Sequence, residues 1–231
     1  LSSSSAASDV YKRQNIYYAS NISSVHGSIS VDVGGGDFVN DVEFSPDSSL
    51  VAVSITRSGN GGTNGQVLLI KLSDGLQLGN GINPNGEDRF YSAAFSPDGT
   101  HIAVAGNGDF YVVNVSSRAT AFTATSPPGQ INDIDWSPDG NYISMCGGWE
   151  GNGASFDMYE FTSSGLNRIW EKSTTSSCLE ADFSADGRQV ANGHSYYQGD
   201  GGSVKIFYTD SGCLLYTSEA ANEEDSVDLG G

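Results

Sequence analysis

Hydrophobic and polar residues alternate along short segments of the chain, which is the pattern of half-buried β-strands. At positions 41–44, Val42 and Phe44 alternate with Asp41 and Glu43, so one side of the segment is apolar and the other is acidic. A turn and a continuously apolar segment, "LVAVSI", follow, as expected for a strand that packs on both faces. The pattern therefore predicts pairs of short strands joined by turns.

This strand–turn–strand unit occurs four times, as "VEFSPDSSLVAVSI", "AAFSPDGTHIAVAG", "IDWSPDGNYISMCG" and "ADFSADGRQVANGH". An aromatic anchor ends each first strand, and successive anchors lie 51, 41 and 47 residues apart. Repeats of this length built from strands alone are typical of propeller blades. The anchors are Phe44, Phe95, Trp136 and Phe183.

The segment between the two strands has the composition of a β-turn. Proline presets φ at the second position, aspartate can bond its own backbone, and glycine adopts a positive φ. The first unit has Ser48 where the others have glycine, so we expect a strained serine there. The turn residues are Pro46, Asp47, Pro97, Asp98, Gly99, Pro138, Asp139, Gly140, Asp186 and Gly187.

A third strand follows in every unit, as "VLLIKL", "FYVVNV", "FDMYEF" and "VKIFYT", and each ends in turn residues. A weaker fourth strand comes next, for example "LQL" or "RIWEK". Four antiparallel strands make one blade, here with strands a to d, and a blade must stack on others to bury both faces. We therefore expect an all-β propeller of four-stranded antiparallel blades. Four to five blades are present, which predicts an incomplete ring.

The segment "SVKIFYTDSG" resembles strand c and the following turn of WD-repeat propellers, with Phe207 where a tryptophan is usual. Asp109 and Asp200, just before strand c, match the position of that family's structural aspartate. The family's Gly-His before strand a and its Trp-Asp at the end of strand c are missing from all four units, so other propellers with "SPDG" turns are the alternative. The resemblance covers about residues 15–212. It implies a scaffold whose b–c and d–a loops bind proteins on one face.

Both ends of the chain depart from the repeat. Residues 15–40 fit the last two strands of a preceding blade, and the blades begin near 41, 90, 131 and 178. The strings "DVYKRQ" and "CLLYTS" resemble translated sequencing-adapter sequence, so we expect 1–14 and 213–231 to be non-native or disordered. The alternative is that "CLLYT" is a true fourth strand.

Charge and cysteine content narrow the function classes. The net charge is −18, and no Lys/Arg cluster is present that could neutralise phosphates, so neither nucleic acid nor an anionic membrane is expected as partner. Cys146 and Cys178 fall near the same face of neighbouring blades, but the cysteine-poor composition favours buried free thiols. We expect a cytoplasmic protein; an upstream signal sequence would instead indicate a periplasmic or extracellular propeller.

The b–c loops carry the candidate binding residues, because three of them are long and lie on one face of the predicted scaffold. Trp149, between glycine and glutamate, has little reason to be core and could anchor a protein partner with two tyrosines. Equally, these rings could cover their own blades. The predicted partner-binding residues are Asn60, Asn64, Trp149, Glu150, Asn152, Tyr196 and Tyr197.

Other candidate sites are weaker. The 79–89 insertion lacks the ligand spacing of a calcium loop, and no elbow motif surrounds Ser195 beside His194 and Asp200. Asp133 and Asp135 fit the polar side of strand a, and without a signal peptide we expect the sequons at Asn21 and Asn114 to match by chance. We therefore expect no metal, no cofactor and no enzyme.

Together these features predict a non-enzymatic protein-binding scaffold. The alternatives are the propeller of a larger peptidase- or lactonase-like enzyme and an exported binding propeller.

Overall fold

The computed structural model describes residues 14–18, 21–29, 38–56, 65–86, 89–148, 154–174, 176–195 and 202–219. All regular elements in these ranges are β-strands, which confirms the all-β prediction. The same ranges contain no helix long and apolar enough to cross a membrane. The chain divides into two compact units, Leu1–Phe90 and Tyr91–Gly231.

The first unit contains a two-stranded antiparallel hairpin and a three-stranded antiparallel sheet. Its strands are β1 (Gln14–Tyr18), β2 (Asn21–Ile29), β3 (Phe38–Phe44), β4 (Leu50–Thr56) and β5 (Gln66–Lys71). The hairpin is β1-β2, and we call the three-stranded sheet, β3-β4-β5, blade 1. Val51, Val53, Ile55, Leu68 and Ile70 form the buried core of the sheet.

The fourth strand expected at "LQL" is not a regular strand. Within residues 65–86, the chain after β5 pairs back through isolated bridges, Ile70 with Gln77 and Val67 with Ile82. Gly79 lies between the two bridges with a φ of 65°, so the backbone turns where a continuous strand would have to stay extended.

The second unit contains blades 2, 3 and 4. Its strands are β6 (Ser92–Phe95), β7 (His101–Ala105), β8 (Asn107–Asn114), β9 (Thr120–Trp136), β10 (Tyr142–Gly147), β11 (Ala154–Thr162), β12 (Gly165–Thr174), β13 (Ser177–Phe183), β14 (Gln189–Ser195), β15 (Gly202–Tyr208) and β16 (Leu214–Glu219). Blade 4 is the sheet β13-β14-β15-β16. No ladder of hydrogen bonds closes the described strands into a ring.

Blades 2 and 3 share one strand. The first part of β9 pairs with β8 as strand d of blade 2, and its last six residues, 131–136, pair with β10 as strand a of blade 3. The two blades therefore form one seven-stranded sheet, β12-β11-β10-β9-β8-β7-β6. The weaker fourth strand of blade 2 thus continues without a break into strand a of blade 3.

The a–b turns follow one hydrogen-bond scheme. In blade 2 the Ser96 hydroxyl donates to Asp98 Oδ1 over 2.7 Å and accepts from the His101 N–H over 2.9 Å. The Gly99 N–H donates to the Ser96 carbonyl over 2.8 Å. The bond from Ser96 to the carboxylate lowers the pKa of Asp98 below its ordinary value. The serine and aspartate of the repeat thus close the turn between strands a and b.

The fourth turn residue is left-handed in every unit, as its sequence predicts. The φ angle is 56° at Ser48, 69° at Gly99, 75° at Gly140 and 69° at Gly187. Of these four turn residues, only Ser48 carries a Cβ, and a side chain is disfavoured in this conformation.

We expect Ser48→Gly to stabilise the protein by roughly 1–2 kcal/mol, because glycine removes the left-handed penalty. Gly99→Ser, the reverse change in the matching turn, should destabilise it by a similar amount. Urea unfolding of the two variants beside the wild type measures both differences. Equal midpoints for all three proteins would contradict the strain at this position.

Three of the four aromatic anchors are buried as expected. Phe95, Trp136 and Phe183 have exposed fractions of 5%, 5% and 8%, respectively. Phe44 is 49% exposed and so is not a core residue. Trp136 and Phe183 lie in cores formed between neighbouring blades of the second unit, and Phe44 lies outside the core of blade 1. The repeat pattern therefore identifies the position of an anchor but not whether it is covered.

The segment at the end of blade 4 forms its outer strand. β16 pairs with β15 from Leu214 to Glu219, where the alternative interpretation of "CLLYT" places strand d. The hydrophobic residues Leu214, Leu215 and Tyr216 of this strand are exposed. The expectation that residues 213–231 are non-native stays a prediction.

Candidate functional site

The b–c connections of the second unit leave the blades at one strand end. β7 runs into β8 through Gly106 alone, whereas longer segments follow β10 and β14. All seven predicted partner-binding residues lie outside the described ranges: Asn60, Asn64, Trp149, Glu150, Asn152, Tyr196 and Tyr197. Their role stays a prediction, and the structure describes the strand ends that carry them.

Two glycines at the end of β10 allow close backbone packing where the b–c connection of blade 3 begins. A Cβ on Gly147 would lie 2.7 Å from the Gln130 carbonyl oxygen. Gly148 has a φ of 93°, and a Cβ there would overlap the backbone of Ala154. The Gly148 N–H donates to the Gln130 carbonyl over 2.7 Å, so the start of the connection is held against β9.

An asparagine joins this edge of blade 3 to blade 4. Asn132 Nδ2 donates to the Cys178 carbonyl over 2.6 Å and lies 3.4 Å from the Gly148 carbonyl. In the first unit, Asn40 Nδ2 likewise donates to the Phe90 carbonyl and to Thr56 Oγ1, both over 2.6 Å. A single amide thus bonds both a b-strand end and a more distant segment of chain.

Sequence reasoning did not identify these asparagines, although a signal was present. The first and third units share "ND" four residues before the anchor, in "NDVEFSPD" and "NDIDWSPD". The second and fourth units have Tyr91 and Leu179 at the position of the asparagine.

Cys146 and Cys178 form a disulfide, so the prediction of free thiols is wrong. Cys146 lies near the end of β10 and Cys178 near the start of β13, with Cα atoms 5.3 Å apart. Both side chains are completely buried between blades 3 and 4. Composition could not reveal this bond because it depends on the packing of two blades. The third cysteine, Cys213, is free and exposed.

Asp133 bonds the inner strands of three blades to one another. Its Oδ1 accepts from the Ser92 hydroxyl of blade 2 over 3.0 Å, and its Oδ2 accepts from the Ala181 N–H of blade 4 over 2.8 Å. Asp135, two residues on, accepts from the Trp136 N–H over 2.7 Å. Burial, with the Asp133 and Asp182 carboxylates nearby, raises the pKa of Asp135 to about 7. The two aspartates therefore act at the joint between blades.

We expect the free energy of unfolding to fall as pH rises from about 4 to about 7. The folded protein retains the Asp135 proton over this range, whereas the unfolded chain releases it near its ordinary pKa. Buried Asp157, whose pKa burial raises to about 6, acts in the same direction. Asp135→Asn keeps an oxygen that accepts from the Trp136 N–H. At pH 7.5 its free energy of unfolding should exceed that of the wild type by on the order of 2 kcal/mol.

Urea unfolding between pH 4 and 8, in constant salt that screens the net negative charge, measures this dependence. Asp157→Asn is the matched control, because it should flatten the curve mainly below pH 6. Identical pH dependence in the wild type and Asp135→Asn would contradict the assignment.

His194, which the sequence places next to Ser195, lies in β14. His194 is buried, and its Nε2 lies 3.1 Å from Asn192 Oδ1. Burial lowers the pKa of His194, and nearby Lys205 lowers it further. Ser195 ends β14, and Asp200 lies outside the described residues. His194 is the register partner of Cys178 in the β13–β14 ladder, and Asn192 Nδ2 contacts Cys178 Sγ at 3.6 Å.

The remaining sequence candidates occupy structural positions where the chain is described. Asp109 lies in β8, with its Oδ2 3.5 Å from the Tyr111 hydroxyl. Phe207 is buried against Phe156 and Trp170. Within the described ranges, no group of three or more His, Cys, Asp or Glu residues has the arrangement of a metal site.

Comparisons with known proteins identify the same architecture. The WD40 family, described as WD domain, G-beta repeat, matches residues 120–152, which include β9 and β10. Hydrazine synthase of Kuenenia stuttgartiensis matches with a TM-score of 0.66 and 15% identity, over 79% of this chain and 49% of that chain. The β-propeller domain of Cps50 (Swd1) from Myceliophteria thermophila matches with a TM-score of 0.62 and 11% identity, over 79% and 56%.

At these identities the structural likeness shows the fold alone. The chain spans about half the length of both solved chains.

Proposed function

We propose that this chain, a WD-repeat-like β-propeller, is a non-enzymatic scaffold that binds a protein partner through its b–c connections. The family match and the propeller neighbours support an interaction domain of this type. The observation that carries the proposal is a set of bonds that hold blades 3 and 4 together. These bonds lie near the strand ends at which the b–c connections begin. A rigid base of this kind lets loops present side chains at fixed separations.

Three bonds hold blades 3 and 4 together at these strand ends. The Asn132 amide binds the carbonyl of Cys178, the Cys146–Cys178 disulfide joins the same two blades, and Asp133 binds the Ala181 N–H. Trp149 follows Cys146 by three residues, and Tyr196 follows His194 by two. The strand ends that precede the two connections are therefore neighbours across the joint between blades 3 and 4.

A second candidate is an exported binding propeller, which the disulfide favours. Protein disulfides persist mainly in oxidising compartments and are rare in the cytosol. The cytoplasmic location expected from the sequence stays a prediction. A role as part of a larger enzyme has no comparable support among the described residues.

The test is quantitative affinity capture from extracts of the source cells with three proteins. Trp149→Ala combined with Tyr196→Ala should lose at least tenfold of the specifically bound partner. Leu76→Ala, at an exposed residue of the first unit, is the control and should retain it. If the wild type and the double variant capture equal amounts of partner, the proposed binding face is wrong. It is also wrong if Leu76→Ala loses as much partner as the double variant.

A further inference from the structure

We propose that the Asn114 side chain accepts an N-linked glycan. Asn114, Val115 and Ser116 form an Asn-x-Ser acceptor sequence at the end of β8. Such sequences occur often by chance, so the proposal depends on the geometry of this asparagine and on a separate feature of the chain. It does not depend on the proposed partner binding.

The asparagine is oriented by its own turn. Its Oδ1 accepts from the Ser116 hydroxyl over 2.8 Å, from the Ser117 N–H over 3.0 Å and from the Ser117 hydroxyl over 3.1 Å. No hydrogen bond among the described residues uses Asn114 Nδ2, the atom to which a glycan attaches. Asn114 is partly exposed, and Ser116 and Ser117 are exposed. The hydroxyl of the acceptor sequence therefore already contacts the amide that it accompanies.

The acceptor lies at the strand ends opposite the b–c connections. The Val115 N–H donates to the Thr100 carbonyl over 3.0 Å, which places this c–d turn beside the a–b turn of blade 2. Gly106, the b–c connection of that blade, is at the other end of β8. A glycan on Asn114 would project from the end of the blade and leave the candidate binding edge uncovered.

The separate feature is the buried disulfide between blades 3 and 4. Its presence indicates that the chain folds in an oxidising compartment, the setting in which Asn-x-Ser sequences are modified in secreted proteins. Without such a compartment the sequence at Asn114 would have no access to the transferase.

The co-reactant is a lipid-linked oligosaccharide pyrophosphate. A bond forms between Asn114 Nδ2 and the anomeric carbon of the first sugar, and the bond from that carbon to the pyrophosphate oxygen breaks. The lipid pyrophosphate leaves with the bonding electrons, and a base takes the proton from Nδ2. No oxidant or reductant takes part.

The experiment is secretion of the full chain behind a cleavable leader from eukaryotic cells. The glycan is then released by peptide N-glycosidase in heavy-oxygen water, and the peptides are mapped by mass spectrometry. Occupied asparagine becomes labelled aspartate. We expect most of the chains that contain the Cys146–Cys178 disulfide to carry the label at Asn114. Ser116→Ala should abolish it, and Ser117→Ala should retain it.

Asn21, the acceptor sequence in β2, reports whether the transferase acted on the chain. An unlabelled Asn114 beside a labelled Asn21 would overturn the proposal. It would also be overturned if neither asparagine is labelled in chains with the disulfide, or if secreted chains lack the disulfide.

Discussion

Replacing Trp136 by alanine should destabilise the protein by about 3–5 kcal/mol, the usual cost of removing a large aromatic side chain from a core. Trp136 is 5% exposed and packs edge-to-face on Phe161, with ring centroids 4.9 Å apart. It lies in the core between blades 2 and 3, so its removal leaves a cavity that both blades line. Urea unfolding followed by far-ultraviolet circular dichroism measures the loss.

Phe44 is the matched control for this experiment, because it occupies the anchor position of blade 1 and is 49% exposed. Phe44→Ala should cost no more than about 1 kcal/mol, since an exposed ring loses little burial. Trp136→Phe, which keeps a ring in the core, should cost less than Trp136→Ala. Equal losses at positions 44 and 136 would show that the repeat position, rather than burial, determines the contribution.

Breaking the Cys146–Cys178 disulfide should lower the free energy of unfolding by about 3–4 kcal/mol. The bond joins residues 32 positions apart, and in the chain-entropy view a cross-link of this length restricts the unfolded chain by that amount. The Cys146→Ala/Cys178→Ala protein should therefore unfold at a lower urea concentration than the wild type. Refolding the wild type with reductant should produce the same lower midpoint.

Cys213→Ser is the control for the disulfide experiment, because this cysteine is free and exposed. Its midpoint should match that of the wild type, and reductant should shift both equally. A double variant as stable as the oxidised wild type would contradict a contribution of the bond to stability. Peptide mapping without reductant identifies the pairing directly.

The sequence predicts those parts of the fold that depend on local chemistry. The strand pairs and the left-handed fourth turn residue, including strained Ser48, follow from alternation and turn composition within a few residues. Burial of Phe95, Trp136 and Phe183 follows from the apolar face of the repeat.

The contacts between blades could not be predicted in this way. The Asn132–Cys178 bond spans 46 residues, and the disulfide requires two blades to bring Cα atoms within 5.3 Å. Exposure of Phe44 and the continuity of β9 likewise depend on which surfaces meet. For the candidate site, the sequence predicts the loops and their aromatic residues. It does not predict the bonds that join blades 3 and 4 beside these loops, because those bonds form between residues far apart in the sequence.

The continuous strand β9 makes blades 2 and 3 a single cooperative element. Repeat proteins often open one repeat at a time, because each contacts only its neighbours. Here Thr120–Trp136 belongs to the ladders of both blades, so neither can separate without breaking a strand of the other. Amide hydrogens of β8 and β10 should therefore report a common free energy of opening in hydrogen exchange. An extra blade inserted between blades 2 and 3 would have to interrupt β9. Between blades 3 and 4 it could be inserted in the connection from β12 to β13 without interrupting a strand.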